Sequence, residues 1–135
     1  MLRLETAGYR DRAMVAINAR LQAGSTNTYR AVWAYEFALF GGVMAWYTGG
    51  DLPFIFQNVD MISNMVNGDE ATAQRLADQA SATVYNFMVN GDPSTADLSW
   101  SAYTVDNCET MVFCANSEVR NGVDNQVIAL LALQG

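Results

Sequence analysis

The spacing of apolar residues predicts two amphipathic helices in this chain. Apolar side chains recur at helical intervals over residues 6–22 and again over residues 69–90. Gly24 follows the first helix and Gly91-Asp92-Pro93 follows the second, so both segments end at typical helix stops. Asp69 is placed to cap the start of the second helix. We expect one apolar face on that helix, made by Ala73, Leu76, Ala77, Ala80, Val84 and Phe87.

Between these helices the pattern changes to that of a buried strand. Residues 29–40 are almost continuously apolar and rich in aromatic side chains, which predicts a strand covered on both faces of a sheet. Gly41-Gly42 ends the strand. Residues 52–56 are interrupted by Pro53 and predict a buried connector, and residues 59–66 predict a short helix.

The last third of the chain combines a loop, a hairpin and a helix. Trp100 and Tyr103 are expected to anchor the loop over residues 93–104. Residues 110–114 and 118–121 predict a hairpin, and residues 124–133 predict a closing helix. A length of 135 residues predicts one domain over 1–135.

Composition and charge exclude several classes of function. Hydrophobic residues make up 51% of the chain, which suffices for a core, yet no apolar run is long enough to predict a membrane span. The net charge of −7 disfavours nucleic acid as a partner. No metal or other cofactor is expected, since the chain lacks the four Cys or His ligands of a structural zinc site. Cys108 and Cys114 are favoured as free thiols, although a disulfide stays open.

The first residues, Met-Leu-Arg-Leu-Glu, lack the apolar stretch and the cleavage site of a signal peptide. A genuine start at this point predicts a cytoplasmic protein. If upstream sequence is missing, the compartment cannot be inferred.

Five short segments, in order, carry a resemblance to a known family. They are Val-Trp-Ala-Tyr-Glu-Phe at 32–37, Asp-Leu-Pro-Phe-Ile-Phe at 51–56, Tyr-Asn-Phe with Gly-Asp-Pro at 85–93, Trp-Ser-Ala-Tyr at 100–103, and Thr-Met-Val-Phe at 110–113. In this order and spacing they resemble the last third of type-B carboxylesterases, the cholinesterase-like branch of the α/β-hydrolases. The resemblance implies a partial α/β-hydrolase fold, a C-terminal segment of helix, buried strand, remnant of the histidine loop, long helix, hairpin and helix.

That family implies ester hydrolysis by a Ser-His-acid triad, with the serine in a Gly-x-Ser-x-Gly turn. No serine in this chain has glycine both two residues before it and two residues after it, and the chain contains no histidine. Anchoring the resemblance on Ala45-Trp46 places the family histidine at Tyr47, whereas anchoring it on Asp51 places it at Thr48. Neither residue can act as the base near neutral pH, because a phenol has a pKa of about 10 and imidazole one of about 6.5.

The resemblance also gives expectations for the pocket and the partners. Trp46, Asp51 and Phe54 are the substrate-pocket candidates. The chain is expected to be an inactive remnant or fragment of a carboxylic ester hydrolase. The alternatives are a non-catalytic binding or assembly module and the complementing chain of a split esterase. Because the buried strand lacks its neighbours, a homo-oligomer or the missing N-terminal esterase portion is the expected partner.

Overall fold

The computed structural model describes residues 2–25, 27–37, 49–126 and 129. The elements in order are helix α1 (Leu2–Gln22), strand β1 (Ala31–Trp33), helix α2 (Leu52–Ile55), a 3₁₀ helix (Val59–Ile62), helix α3 (Glu70–Asn90), strand β2 (Glu109–Phe113) and strand β3 (Glu118–Asn121). Helices and strands therefore both contribute to the fold, as the sequence predicts.

The three strands form one mixed sheet in the order β1-β2-β3. Strand β1 is parallel to β2, with Ala31 opposite Met111 and Trp33 opposite Phe113. Only residues 114–117 separate β2 from β3. A parallel connection needs about a dozen residues, so these two strands form an antiparallel hairpin. The predicted hairpin is confirmed.

The chain divides into two compact units with different interiors. The first unit comprises Met1–Arg30, Ala102–Thr110 and Arg120–Gly135, and the second comprises Ala31–Ser101 and Met111–Val119. The described buried residues of the first unit are Ile17, Thr28, Arg30, Tyr103, Thr110 and Asp124. Those of the second unit form an apolar core of Tyr35, Phe37, Phe54, Val59, Val66, Ala73, Leu76, Ala77, Ala80, Leu98, Met111 and Phe113. The expectation of one domain over 1–135 stays a prediction.

Helix α3 matches the predicted bounds at both ends. Asp69 occupies the N-cap position, and Gly91 ends the helix with a left-handed φ of 72° that glycine adopts without strain. The predicted apolar face is correct at its start but wrong at its end, because Val84 and Phe87 remain 37% and 44% exposed. Thr83 is buried on this face, and its hydroxyl donates to the carbonyl of Ala80 at 2.8 Å, which satisfies the polar group.

The predicted strand over residues 29–40 is wrong in its length. Within the described residues only Ala31–Trp33 are in the ladder, because the pairing with β2 stops at Phe113. One further backbone bond, from the Ala34 N–H to the Phe113 carbonyl at 2.7 Å, continues the contact. Residues 38–40 lie outside the described residues. The connector predicted at Pro53 is a helix instead, since proline is tolerated in a first turn.

The remaining sequence expectations have mixed outcomes. Both Cys108 and Cys114 are free thiols in this structure. Cys114 lies just beyond β2 and is half-buried, where the sequence predicts a buried strand position. The closing helix at 124–133 falls largely outside the described residues. Among the described helices, none combines the length and the apolarity that a membrane crossing requires.

Candidate functional site

Three of the predicted site residues, Trp46, Tyr47 and Thr48, lie outside the described residues. The position of the missing base therefore stays a prediction. The described chain resumes at Gly49, whose φ of 83° lies in the left-handed region that favours glycine. The Gly49 carbonyl accepts the N–H of Leu52 at 3.1 Å, and this turn leads directly into α2.

Asp51 sits at the N-cap of α2, where its carbonyl accepts the N–H of Ile55 at 3.0 Å. Its φ and ψ of −80° and −26° are helical, and its side chain makes no capping hydrogen bond. Within the described part of the chain, no hydrogen bond or ion pair engages this carboxylate. Asp51 lines a cavity instead, so its charge is available to a molecule that enters there.

The cavity lies wholly within the second unit and has a volume of about 190 Å³. Its described lining residues are Ala31, Trp33, Asp51, Ile55, Ala80, Thr83, Val84, Trp100 and Phe113. Three aromatic rings dominate this set and pack on one another. The Trp33 and Trp100 rings lie 5.5 and 5.6 Å from the ring of Phe113. The walls therefore offer flat apolar surfaces for a ring-shaped ligand.

The polar groups of this cavity differ in whether another residue already engages them in a hydrogen bond. The Thr83 hydroxyl is committed as a donor to the Ala80 carbonyl. The indole N–H of Trp33 is buried without an acceptor among the described residues. No arginine lines the cavity, so Asp51 supplies its single ionised group within the described lining. The cavity is consequently apolar and aromatic with one negative charge.

Phe54, the third pocket candidate that the sequence proposes, lies in the core. It is fully buried, and its ring centroid lies 4.8 Å from that of Trp33, 5.3 Å from that of Tyr35 and 6.0 Å from that of Phe37. Phe54 therefore packs against Trp33, which lines the cavity. A direct substrate contact by Phe54 stays a prediction.

A second cavity of about 360 Å³ lies on the outside of α3. Its described lining is aliphatic and polar, namely Val59, Asp60, Ser63, Val66, Glu70, Ala71 and Gln74. The Glu70 carboxylate is already engaged, because it accepts the Gly68 N–H at 2.9 Å, and this bond lowers its pKa. The Asp60 carboxylate also lines this cavity and has no hydrogen bond or ion pair within the described part of the chain. The described lining contains no aromatic ring, so this cavity is the weaker candidate for an aromatic ligand.

A polar pair at the start of α3 has a structural role. The Tyr35 hydroxyl donates to the Asp69 carboxylate at 2.8 Å, so that the carboxylate anchors the core residue and does not cap the helix. Burial raises the pKa of Tyr35, and the hydrogen bond and the charge of Asp69 raise it further. The phenol therefore stays protonated near neutral pH and cannot serve as a base.

The sequence does not predict the buried ion pair of the first unit. Arg30 pairs with Asp124, and it also donates to the Thr110 hydroxyl at 2.8 Å. The two charged residues are 6% and 1% exposed. An arginine beside an apolar stretch is a weak signal, and no local pattern identifies a partner 94 positions away. Because its charge is matched, Arg30 is a poor anion-binding site.

The chemistry available to the described residues is limited. The whole sequence lacks histidine, so no imidazole can serve as a proton acceptor. Among the described residues, no group of three or more His, Cys, Asp or Glu is arranged to hold a metal ion. The described lining of the aromatic cavity offers apolar surface and the Asp51 carboxylate, but no nucleophile and base in hydrogen-bonding contact.

Comparison with known proteins identifies carboxylesterases. The chain is 23% identical over 108 residues to the para-nitrobenzyl esterase of Bacillus subtilis. It superimposes with a TM-score of 0.70 and 30% identity on an esterase from Clostridium hathewayi, covering 81% of this chain. A Geobacillus stearothermophilus carboxylesterase gives a TM-score of 0.63 and 27% identity over 75% of this chain. No protein-family model matches the sequence.

These matches cover only a small share of the relatives. The chain spans 22% of the Bacillus protein and 21% of both the Clostridium and the Geobacillus proteins. The resemblance to carboxylesterases and the partial α/β fold that the sequence predicts are confirmed. The similarity corresponds to about a fifth of a carboxylesterase and not to a complete one.

Proposed function

We propose that this chain is a remnant or fragment of a carboxylic ester hydrolase that does not hydrolyse esters by itself. The observation that carries this proposal is the absence of histidine from a chain whose relatives are esterases. The relatives' chemistry is expected to need a base that accepts a proton near neutral pH. The chain can offer only Tyr47 or Thr48 at the position that the resemblance assigns to this base.

The size of the expected defect follows from the chemistry of the triad. Removal of the base from a serine hydrolase costs on the order of 10⁶-fold in turnover when the rest of the site is intact. This chain also lacks a Gly-x-Ser-x-Gly turn. With both groups missing, the rate of ester hydrolysis by the purified chain should equal the rate in buffer.

A non-catalytic binding or assembly module is the second candidate. The cavity beside Asp51 supports a binding role, because all of its described lining residues belong to the second unit. The last turns of α3 support an assembly role, since Tyr85, Met88 and Val89 are each more than 60% exposed. Apolar side chains in such a group are typical of a surface that contacts a partner. That partner would be a second copy of the chain.

A complementing chain of a split esterase is the third candidate. The observation behind it is that about four-fifths of the length of each relative has no counterpart in this chain, which the coverage of 21 to 22% implies. An N-terminal esterase portion that carries the serine would then be the partner. The candidate is weakened by the lack of histidine, because neither portion would bring the base.

Ester hydrolysis by the purified chain tests the first proposal. We expect p-nitrophenyl acetate to be hydrolysed at the rate of a blank that contains a heat-treated sample of the same protein. Light scattering on the same sample reports whether the chain is a monomer or a defined oligomer. Turnover well above the blank that disappears with a serine-directed phosphonate would overturn the proposed inactivity.

A chimera locates the lost base. The upstream portion of the Bacillus esterase is joined to this chain, and the variants Tyr47→His and Thr48→His are compared with the unaltered chimera. We expect one variant to regain hydrolysis by at least about a thousandfold over the unaltered chimera, since the serine and acid are then present. A cooperative urea unfolding transition, followed by far-ultraviolet circular dichroism, shows that each chimera folds. Folded chimeras that all remain inactive would contradict the assignment of this loop.

A further inference from the structure

We propose that the cavity beside Asp51 binds a small aromatic compound that carries a primary ammonium group. The site lies entirely in the second unit and uses Trp33, Trp100 and Phe113 as walls and Asp51 as the charged partner. Binding at this cavity does not depend on ester hydrolysis, because no catalytic step is assigned to these residues. Ligand binding measured with the chain alone tests the proposal.

The size of the cavity selects a ligand with a single ring. Its volume is about 190 Å³. An apolar cavity of about 150 Å³ accommodates benzene, whereas drug-sized ligands occupy roughly 300 Å³ or more. The space therefore fits one aromatic ring with a side chain of two or three atoms, and it excludes fused polycyclic compounds.

The walls favour a ring and tolerate a positive charge. Indole and phenyl faces attract a cation that lies within about 6 Å of the ring centre, and tryptophan does so best. Two of the three aromatic walls are tryptophans, and both stack against Phe113 at tilted or near-perpendicular angles of 34° and 78°. A ligand ring can pack against these surfaces while its ammonium group remains near an aromatic face.

The charge at Asp51 selects an ammonium group that carries N–H bonds. The carboxylate accepts no hydrogen bond from a described residue, and none of the described lining residues is an arginine. An ionised acceptor beside apolar walls is costly unless a donor or a cation reaches it. A primary ammonium group supplies both, and the charge-assisted hydrogen bonds that result are about twice as strong as neutral ones.

Binding of 2-phenylethylamine tests the proposal, with 2-phenylethanol as a neutral isostere of the same size. Calorimetry measures the affinities, and tryptophan fluorescence reports ring contact. We expect the amine to bind at least tenfold more tightly than the alcohol. Asp51→Asn should abolish this preference, while Asp97→Asn, which removes the same charge from an exposed position, should leave it unchanged. Equal affinities, or a preference that survives Asp51→Asn, would overturn the assignment.

A second pair of variants tests the location without relying on charge. Val84 lines the cavity, and because it is 37% exposed, a larger side chain there should not prevent folding. Val84→Phe should weaken amine binding at least tenfold by filling the cavity. Ala82→Phe places the same ring on the same helix at an exposed position outside the described lining and should have no effect. If both variants bind as the unaltered chain does, the ligand is held elsewhere and the proposal is wrong.

Discussion

The interiors of the two units of this chain are stabilised by different kinds of interaction. The second unit surrounds a cluster of aromatic and aliphatic side chains in which Phe54 contacts Trp33, Tyr35 and Phe37. In the first unit, the described interior contains an arginine paired with an aspartate. Apolar packing contributes in proportion to buried area and has little directional requirement. A buried ion pair depends on both partners, because either charge alone is strongly disfavoured.

This difference has a consequence for function. Rings of the aromatic cluster of the second unit also line the cavity, so the same packing that stabilises the fold provides walls for a ligand. The buried charges of Arg30 and Asp124 in the first unit neutralise each other, and Arg30 also donates to Thr110. The cavity beside Asp51 thus offers a ligand both aromatic walls and a carboxylate that no described residue engages.

The largest expected effect comes from the aromatic core. Phe54→Ala removes a fully buried ring and should lower the free energy of unfolding by about 4 kcal/mol through lost burial and a new cavity. Urea unfolding followed by far-ultraviolet circular dichroism measures the change. Phe56→Ala is the matched control, because Phe56 is 66% exposed, and it should be nearly neutral. Similar losses for both variants would contradict the assignment of Phe54 to the core.

The buried ion pair gives the next effect. Asp124→Asn leaves the guanidinium of Arg30 buried without its counter-charge and should cost about 3 kcal/mol. Hydrogen exchange of peptides from residues 102–110 should then speed up more than exchange along α3.

The double variant Arg30→Met with Asp124→Leu sharpens this test. It removes both charges, so the loss should shrink to about 1 kcal/mol or less. The Thr110 hydroxyl keeps its bond to the Cys108 carbonyl at 3.0 Å in this variant. If the double variant is as unstable as Asp124→Asn, apolar packing and not charge pairing determines the stability of this unit.

The smallest effect concerns a carboxylate of the first unit. Burial raises the pKa of Glu109, but hydrogen bonds from its own backbone, from Thr104 and from Asn107 outweigh burial, so the net pKa is lowered. The Thr104 N–H and hydroxyl lie 2.7 and 2.8 Å from the carboxylate. A lowered pKa contributes stability above the unfolded value of about 4.3, and this stability is lost as the pH falls.

The corresponding variant is Glu109→Gln. It should lower the free energy of unfolding by about 0.5 kcal/mol near neutral pH, a small loss because solvent screens the charge. The difference from the unaltered chain should shrink when urea unfolding is repeated at lower pH, as the carboxylate takes up its proton. Asp106→Asn removes a carboxylate from the exposed turn just before β2 and is the control, which should be nearly neutral at neutral pH. A difference that grows as the pH falls would reverse the sign of the assigned shift.

The sequence predicts best those features that depend on neighbouring residues. Helix α3 begins after Asp69 and ends at Gly91 as predicted, because helix periodicity and a glycine stop are local signals. The sequence predicts an element less well when its length depends on a partner that is distant along the chain. The predicted strand over residues 29–40 shortens to Ala31–Trp33 within the described residues, since the ladder extends only as far as β2 supplies partners.

The candidate site divides in the same way. Sequence resemblance singles out Asp51 as a pocket residue, and the structure places Asp51 at the cavity. The cavity walls come from three residues that lie far apart in the sequence, Trp33, Trp100 and Phe113. The sequence around each predicts only a packing role, and the fold of the second unit brings the three rings together at one cavity. Phe54 is buried in the core behind Trp33, and its role as a pocket residue stays a prediction.

The amino-acid sequence by itself determined the resemblance to carboxylesterases, the lack of an imidazole base and the bounds of the long helix. These follow from residue identity and short-range spacing, which need no folded context. The tertiary structure alone decided that Arg30 is neutralised by Asp124 and that Asp51 faces an aromatic cavity without a partner. The physical reason is that charge pairing and cavity formation depend on residues brought together across the chain, whose separation no local pattern records.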